Sequence, residues 1–298
     1  MRGQRKAPIL FVTLLLADFA VVGQASRDVA VQSPFQESTD GTIVLGGGYF
    51  DQENTAALLK RMIDLAGGAG ISMVIIPTAD SKLEPATRAG SSTTVSDYEK
   101  AARVTFARLG VQHVTVLHTR DRQVADSNAF VAPLRSANCV WISGGDPQLL
   151  SGVYPMTRVR GELQGVLNRG GVVAGDSAGA EVIGQGLLAV DLLHPEKMPA
   201  APQSGFGLLR DVFVMAHVNR YKATVVALGS KTYVSAHPGA FGVLIEEHTA
   251  IMIRHGQITR LIGKGRAGIV DGRSYGTDSV VWLLGSVRYD LRTRALVQ

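Results

Sequence analysis

Short apolar runs rich in β-branched residues alternate with helical patterns along the chain, and this alternation is the strongest constraint on its fold. Five such runs cover residues 42–45, 73–76, 113–117, 139–142 and 172–174. Helical spacing of apolar residues lies between them, as in the series Val159, Leu163, Val166 and Leu167. Strands that alternate with helices predict a mostly parallel sheet covered on both faces, so we expect an α/β fold built as a three-layer sandwich.

The second half of the chain has a different pattern. After about residue 206 the apolar runs have shorter connections, and they cover residues 212–217, 243–245, 251–254 and 280–284. Such runs predict strands joined by turns, so we expect a β-rich C-terminal part. No linker divides residues 41–298, which we assign to a single catalytic domain.

The N-terminal residues have the pattern of a secretory signal. Basic residues precede an apolar stretch of about 14 residues, and Gly23 and Ala25 supply small residues before a cleavage point. We assign residues 1–25 to a signal peptide and the polar residues 26–40 to a linker. Because a membrane span needs roughly 20 apolar residues, we expect a secreted or periplasmic protein without stable membrane insertion after signal removal, and an uncleaved anchor is the alternative.

Charge and cysteine content exclude several classes of protein. The net charge of +5 comes from dispersed residues that form no basic run able to follow a phosphate backbone, so we expect no nucleic-acid partner. The single cysteine, Cys139, excludes a disulfide framework and multi-cysteine metal sites. No His-Glu-x-x-His or comparable spacing occurs, so we expect no metal site and no cofactor.

The motif Gly-Asp-Ser-Ala-Gly follows the apolar run at residues 172–174 and precedes helix-forming residues. Gly-x-Ser-x-Gly between a strand and a helix is typical of a nucleophile elbow, because small flanking residues tolerate the strained turn that exposes the serine hydroxyl. We therefore predict Ser177 as the nucleophile and the Ala178 amide as an oxyanion donor. The alternative is an ordinary glycine-bounded turn capped by serine.

A second glycine-rich turn follows the run at residues 139–142. A glycine pair after a strand lets the backbone approach a reacting carbonyl group. We predict the amide of Gly145 or of Asp146 as the second oxyanion donor. The alternative is a simple turn before a helix.

A serine hydroxyl needs a neighbouring imidazole to act as a nucleophile. Among the seven histidines, His217 closes the run at residues 212–217 and precedes Asn219 and Arg220. His217 therefore lies at the end of a predicted strand, and the serine motif also lies at the end of one. The order serine, histidine, acid favours His217 as the base, whereas a structural histidine is the alternative for this residue considered alone.

Together these motifs resemble the cyanophycinase and dipeptidase E type serine peptidases, which share the fold of class I glutamine amidotransferases. The similarity extends from about residue 41 to residue 272 and is strongest for the cyanophycinase branch. The motifs that carry it are Gly46-Gly47-Gly48, Gly144-Gly145-Asp146, Gly175-Asp176-Ser177-Ala178-Gly179-Ala180, His217, residues 242–250 and Val270-Asp271-Gly272.

The resemblance implies a catalytic triad of Ser177, His217 and Glu247 that works through an acyl-enzyme without a cofactor. Glu246 takes the place of the family's aspartate, so either glutamate is a candidate to orient the imidazole, and we prefer Glu247. The implied substrate is a peptide or polymer, namely cyanophycin or a related β-linked aspartyl-arginine peptide. Homodimerisation is an expectation from the resemblance alone.

The sequence departs from cyanophycinases around the substrate. Met215 and Ala216 stand where the family carries Asp-Gln before the histidine, and Arg220 and Lys222 are the only cations soon after it. Gln148 is displaced by one position from the family's Gly-Gly-Asp-Gln motif, and we keep it with Arg220 as a candidate substrate contact.

Two other functions remain open at this point. One is an esterase or another acyl hydrolase that uses the same triad, and the other is a catalytically inactive binding relative. Asp176 stands where threonine is common in the family, and it either favours a cationic substrate group or caps the following helix.

Overall fold

The computed structural model describes residues 40–48, 52–83, 94–188, 203–237, 239–273, 280–286 and 288–297. The predicted signal peptide, and all of the predicted linker except Asp40, lie outside these ranges. None of the helices within them is long and apolar enough to span a membrane.

Fifteen strands lie in the described ranges. In chain order they are β1 (Thr42–Gly46), β2 (Ser72–Ile76), β3 (His113–Val116), β4 (Cys139–Ile142), β5 (Val172–Asp176), β6 (Gly184–Leu187), β7 (Gln203–Ser204), β8 (Leu209–Met215), β9 (Phe241–Ile245), β10 (Thr249–Arg254), β11 (Gln257–Gly263), β12 (Ala267–Asp271), β13 (Val280–Leu283), β14 (Arg288–Asp290) and β15 (Ala295–Val297).

The helices of the same ranges connect most of the parallel strands. They are α1 (Gln52–Ala66), α2 (Val95–Ala107), α3 (Arg122–Ala125), α4 (Asn128–Ser136), α5 (Pro147–Ser151), α6 (Arg158–Asn168), α7 (Ala178–Glu181) and α8 (Ala223–Ala236), together with a 3₁₀ turn at Val218–Arg220.

Nine of the strands form one sheet, in the order β15-β14-β11-β10-β1-β5-β4-β2-β3. The five strands from β1 to β3 in this order are parallel, and the other four extend the sheet with antiparallel pairing. The register places Gly46 beside Asp176 and Ile142 beside Gly175. The carboxyl ends of β1, β4 and β5 therefore meet at one edge of the sheet, where α/β proteins commonly bind ligands.

A second sheet contains six strands in the order β13-β12-β9-β8-β6-β7. Side chains of both sheets, such as Val173 and Val243, share one apolar core with helices α4 and α6. Helices α1 and α2 cover the opposite face of the first sheet, and α8 covers the outer face of the second. Each sheet is therefore buried on both faces over its central strands.

The α/β class, the parallel strands and the β-rich C-terminal part predicted from the sequence are confirmed. Strand β5 shows why the parallel strands could be predicted. Its first four residues are buried, so they are all apolar or small. The division of the later strands between two sheets was not predicted, because an apolar run does not indicate which neighbour it will pair with.

Candidate active site

Ser177 occupies the turn between β5 and α7. Its backbone has φ +55° and ψ −123°, a combination that non-glycine residues seldom adopt. The Ser177 amide donates to the Gly46 carbonyl at 3.0 Å, which ties the turn to the adjacent strand β1. Backbone strain of this kind is concentrated at functional sites.

The glycines on either side of Ser177 make this turn sterically feasible. A Cβ atom on Gly175 would lie 2.1 Å from the Gly179 carbonyl oxygen, and one on Gly179 would lie 2.1 Å from the Ile142 carbonyl oxygen. Neither position accepts a side chain without movement of the backbone. The Gly-x-Ser-x-Gly spacing therefore has a steric cause in this chain.

His217 lies within hydrogen-bond distance of the serine, with 2.7 Å between Ser177 Oγ and His217 Nε2. Strand β8 ends two residues before the end of the predicted run, and His217 takes a left-handed conformation with φ +55°. Its amide donates to the Gly47 carbonyl at 3.2 Å. The last residue of β1, Gly46, therefore holds the backbone of the serine, and the next residue, Gly47, holds that of the histidine.

Glu247 contacts the other ring nitrogen, with 2.9 Å between His217 Nδ1 and Glu247 Oε1. Both side chains are buried, which strengthens the electrostatic interaction between a carboxylate and a protonated imidazole. The Glu247 amide donates to Asn219 Oδ1 at 2.9 Å, and Arg220 Nη1 lies 3.9 Å from Glu247 Oε2. These contacts fix the carboxylate against the ring.

Glu246, the alternative acid, faces a different partner. Its Oε1 accepts from Arg266 Nε at 2.9 Å and from Arg266 Nη2 at 2.6 Å, and its Oε2 accepts from the Arg266 amide at 2.7 Å. The structure therefore brings Glu247 to the imidazole and leaves Glu246 in an ion pair outside the serine, histidine and glutamate cluster.

The glycine-rich turn after β4 lies against the serine. A Cβ atom on Gly144 would lie 2.9 Å from Ser177 Cβ, so only glycine fits there without a shift. The Asp146 amide donates to the Ala79 carbonyl at 2.8 Å and is therefore already committed. Of the two amides predicted from this turn, Gly145 therefore remains the candidate donor. The amide of Ala178, the first residue of α7, has no acceptor within its helix.

The two predicted substrate contacts lie in exposed positions. Gln148 is in the first turn of α5, where its backbone amide donates to Asp146 Oδ1 at 2.8 Å, and its side chain is exposed. The side chain of Arg220 is 64% exposed at the edge of the cluster. Among the described residues no three His, Cys, Asp or Glu side chains are placed to hold a metal ion.

Three further residues contribute to the site. Burial raises the pKa of the Asp176 carboxyl group, and the neighbouring His217 and backbone amides partly oppose this effect. Sequence reasoning gave no role to Asn219, which supports Glu247, or to Glu181, which lies behind the serine. Glu181 has a sequence signal that could have found it, since it is the only charged residue between positions 177 and 188.

This geometry can be compared with known proteins. Residues 42–261, well over half of the chain, match the model of Peptidase family S51. The chain belongs to peptidase family S51. It is therefore a hydrolase of the serine peptidase class, of the cyanophycinase and peptidase E type.

The relatives of this S51 peptidase include several cyanophycinases. That of Nostoc sp. (strain PCC 7120) is 29% identical over 253 residues, which cover 83% of this chain and 78% of that protein. That of Synechococcus elongatus is 28% identical over 236 residues, covering 78% and 69%. The predicted resemblance is confirmed.

A solved structure supports the fold of this S51 peptidase. The crystal structure of a peptidase from an acI-B1 Actinobacterium aligns with a TM-score of 0.64 at 22% identity, covering 86% of this chain and 98% of that one. At this level of identity the likeness concerns the fold.

The contact between Gly48 and the imidazole gives a first prediction for this S51 peptidase. Gly48 has φ +95°, and a Cβ atom there would lie 2.0 Å from His217 Cε1. We expect Gly48→Ala to displace the ring and to lower kcat by on the order of 10²-fold, because small misplacements of reacting groups have effects of this size. Steady-state kinetics on a peptide substrate would measure the loss.

Gly68→Ala is the matched control for this substitution. Gly68 also has a positive φ, +85°, but a Cβ atom there meets nothing within 4 Å. Both variants therefore carry similar backbone strain, and only one crowds the histidine. Equal kcat values in the two variants would show that contact with the ring is unimportant.

Proposed function

We propose that the chain is an exported serine peptidase that hydrolyses cyanophycin or related β-linked aspartyl-arginine peptides, with Ser177, His217 and Glu247 as its catalytic triad. The observation that carries the proposal is the continuous series of contacts across these three side chains, 2.7 Å from the hydroxyl to the ring and 2.9 Å from the ring to the carboxylate. Serine peptidases on unrelated folds use the same arrangement.

In the proposed mechanism Ser177 Oγ attacks the carbonyl carbon of the scissile bond while its proton passes to His217 Nε2. Glu247 keeps the proton of the ring on Nδ1 and stabilises the imidazolium that forms. The oxygen of the tetrahedral intermediate becomes negative and accepts hydrogen bonds from the amides of Gly145 and Ala178.

Collapse of this intermediate completes acylation. The imidazolium gives its proton to the leaving amine, the bond between carbon and nitrogen breaks, and an ester to Ser177 remains. Water then attacks the ester with the imidazole again as base, so that the acid product leaves and the hydroxyl is restored. The first proton transfer, from Ser177 Oγ to His217 Nε2, and the last, from the imidazolium back to Oγ as the bond between the acyl carbon and Oγ breaks, use the short contact between these two side chains.

The substrate class rests on similarity and on one exposed cation. The similar proteins from Nostoc and Synechococcus elongatus are cyanophycinases. Arg220, at the edge of the triad, presents a planar guanidinium group suited to a substrate carboxylate. Met215 and Ala216 are fully buried, so an aspartyl-arginine unit would have to be held by other residues than those preceding the histidine.

A labelling experiment combined with a substrate panel tests the proposal. The purified chain is treated with a fluorophosphonate probe, the labelled peptide is located by mass spectrometry, and hydrolysis of insoluble cyanophycin is compared with that of a p-nitrophenyl ester. We expect label on Ser177 and release of soluble aspartyl-arginine dipeptide that stops after labelling.

Other outcomes would separate the parts of the proposal. Label on Ser177 with hydrolysis of the ester alone would reject the substrate and leave an esterase. A chain that takes up no label and hydrolyses neither compound would reject the triad.

Export is proposed from the basic, apolar and small residues of positions 1–25. Residues 1–40 fused to alkaline phosphatase without its own signal should give phosphatase activity outside the bacterial cytoplasm, and a fusion that begins at residue 26 should not. Equal activity from the two fusions would reject export.

A further inference from the structure

Glu181 has a buried carboxyl group and lies one helical turn after Ser177. It is the last residue of α7, the short helix that begins directly after Ser177, and only 8% of it is exposed. Its Oε1 accepts a hydrogen bond at 3.2 Å from the amide of Ala216. A buried carboxyl group is costly unless it is hydrogen-bonded, so this contact needs a structural explanation.

The amide that Glu181 binds lies where strand pairing stops. Strand β8 pairs with β6 up to Val214 and with β9 up to Met215, and the next residue, Ala216, lies beyond both ladders. A buried amide without a partner destabilises the fold. The carboxyl group of Glu181 therefore provides the acceptor that the two neighbouring strands do not.

The backbone position of Ala216 affects the position of the next residue, His217. The following residue, His217, turns into a left-handed conformation, and its own amide is fixed by the Gly47 carbonyl. These two successive amide contacts set the direction in which the ring leaves the backbone. One of them comes from α7, so the helix that starts at the nucleophile also holds the residue before the base.

We propose that Glu181 is a positioning residue: its carboxyl group fixes the backbone before the histidine and thereby holds the imidazole against the nucleophile. The inference rests on the proposed catalytic role of this serine and histidine. It predicts that turnover depends on an acceptor atom at position 181 and does not depend on a negative charge there.

The surroundings of Glu181 keep it uncharged near neutral pH. Burial raises the pKa of this carboxyl group to about 8, against the smaller opposing effect of the Ala216 amide. Helix α7 packs against β1, β5, β6, β8 and α5. The titratable or charged residues on these elements and at their ends are Asp176 on β5, Arg210 and Asp211 exposed on β8, His217 after β8, and Asp146 before α5.

Two variants and a control separate positioning from simple stabilisation. Glu181→Gln keeps an oxygen acceptor in the same place, and Glu181→Leu has a similar volume but accepts no hydrogen bond. Glu162→Leu is the matched control: Glu162 is half-buried on α6, and its carboxylate pairs with Arg135 at 3.0 Å. The concentration of active sites is measured by titration with the fluorophosphonate probe, so that kcat refers to folded, reactive enzyme only.

We expect Glu181→Leu to lower kcat per titrated site by at least about tenfold with KM within about twofold, because misplacement of a catalytic group affects turnover more than binding. Glu181→Gln and Glu162→Leu should stay within about twofold of the original chain. A purely structural role would instead lower the fraction of titratable sites and leave kcat per site unchanged.

The dependence of stability on pH gives a second readout. An ordinary glutamate ionises near 4.5 in the unfolded chain, whereas the native carboxyl group keeps its proton up to about pH 8. Between these values the unfolded state binds fewer protons, so the contribution of Glu181 to the free energy of unfolding falls as pH rises. Glu181→Gln should remove this decline.

Three results would overturn the inference. One is a kcat per titrated site in Glu181→Leu equal to that of the original chain. The second is an equal loss in Glu181→Gln and Glu181→Leu, which would show that an acceptor alone is insufficient. The third is an original chain that the probe leaves unlabelled, which would reject the proposed function together with the role of Glu181, whereas the first two leave that function intact.

Discussion

Ser177→Ala should lower kcat on a peptide substrate by on the order of 10⁴- to 10⁶-fold, the range found when a serine nucleophile is removed from a triad. The substitution removes Oγ, the atom 2.7 Å from His217 Nε2, and keeps the Cβ atom. The backbone strain at φ +55° is therefore the same with serine and with alanine at this position. We expect the thermal midpoint to change little, so that lost activity cannot be attributed to unfolding.

Single-turnover kinetics at high enzyme concentration would measure the residual rate, and calorimetry would measure the thermal midpoint. Ser136→Ala is the control, because Ser136 lies on the exposed surface of α4 and its hydroxyl makes a long contact of 3.5 Å with the Pro133 carbonyl. A Ser177→Ala protein with activity close to that of Ser136→Ala would mean that another group performs the attack.

Glu247→Gln should lower kcat by on the order of 10³- to 10⁴-fold, as expected when the acid of a triad is replaced by an amide. Glu247 Oε1 lies 2.9 Å from His217 Nδ1, and a neutral amide there neither stabilises the imidazolium nor fixes the tautomer of the ring. KM should change little, since the glutamate contacts the base and is buried away from solvent.

The preceding residue, Glu246, provides a matched control for Glu247→Gln. Glu246→Gln makes the same chemical change one position earlier, but Glu246 pairs with Arg266, whose side chain is 47% exposed. Because Glu246 is only 13% exposed and accepts three hydrogen bonds from Arg266, we expect the free energy of unfolding to fall by about 1–3 kcal/mol, with kcat within about threefold of the original chain. If Glu246→Gln had the larger effect on kcat, the assignment of the acid would be wrong.

The elements of the site differ in how far sequence could predict them. The serine turn is local: a strand, two glycines and a short helix lie within ten residues, so its sequence carries the whole signal. The choice between Glu246 and Glu247 is different, because these neighbours point to different partners. That choice depends on Arg266, which is 20 residues away, and on Asn219, which is 28 residues away.

Other features depend on contacts that no local pattern shows. From sequence alone the amides of Asp146 and Gly145 are equal candidates for oxyanion binding, and they differ only because the Asp146 amide donates to the Ala79 carbonyl. The contact between Glu181 and Ala216 joins residues 35 positions apart. Hydrophobic periodicity predicts that a strand or helix forms, but the partner of an individual amide is decided only when the elements pack together.

The proposed triad is assembled from two separate sheets. Ser177 follows a strand of the nine-stranded sheet, His217 follows a strand of the six-stranded sheet, and Glu247 lies in the turn that passes from one to the other. The apolar side chains packed between the sheets, such as Val173 and Val243, therefore hold these three residues in position relative to one another. A small displacement of one sheet relative to the other would break no hydrogen bond between paired strands, but it would separate the Ser177 hydroxyl from the His217 imidazole. Turnover therefore depends on how the two sheets are aligned. We expect conservative substitutions of the valines and isoleucines packed between the sheets to change kcat.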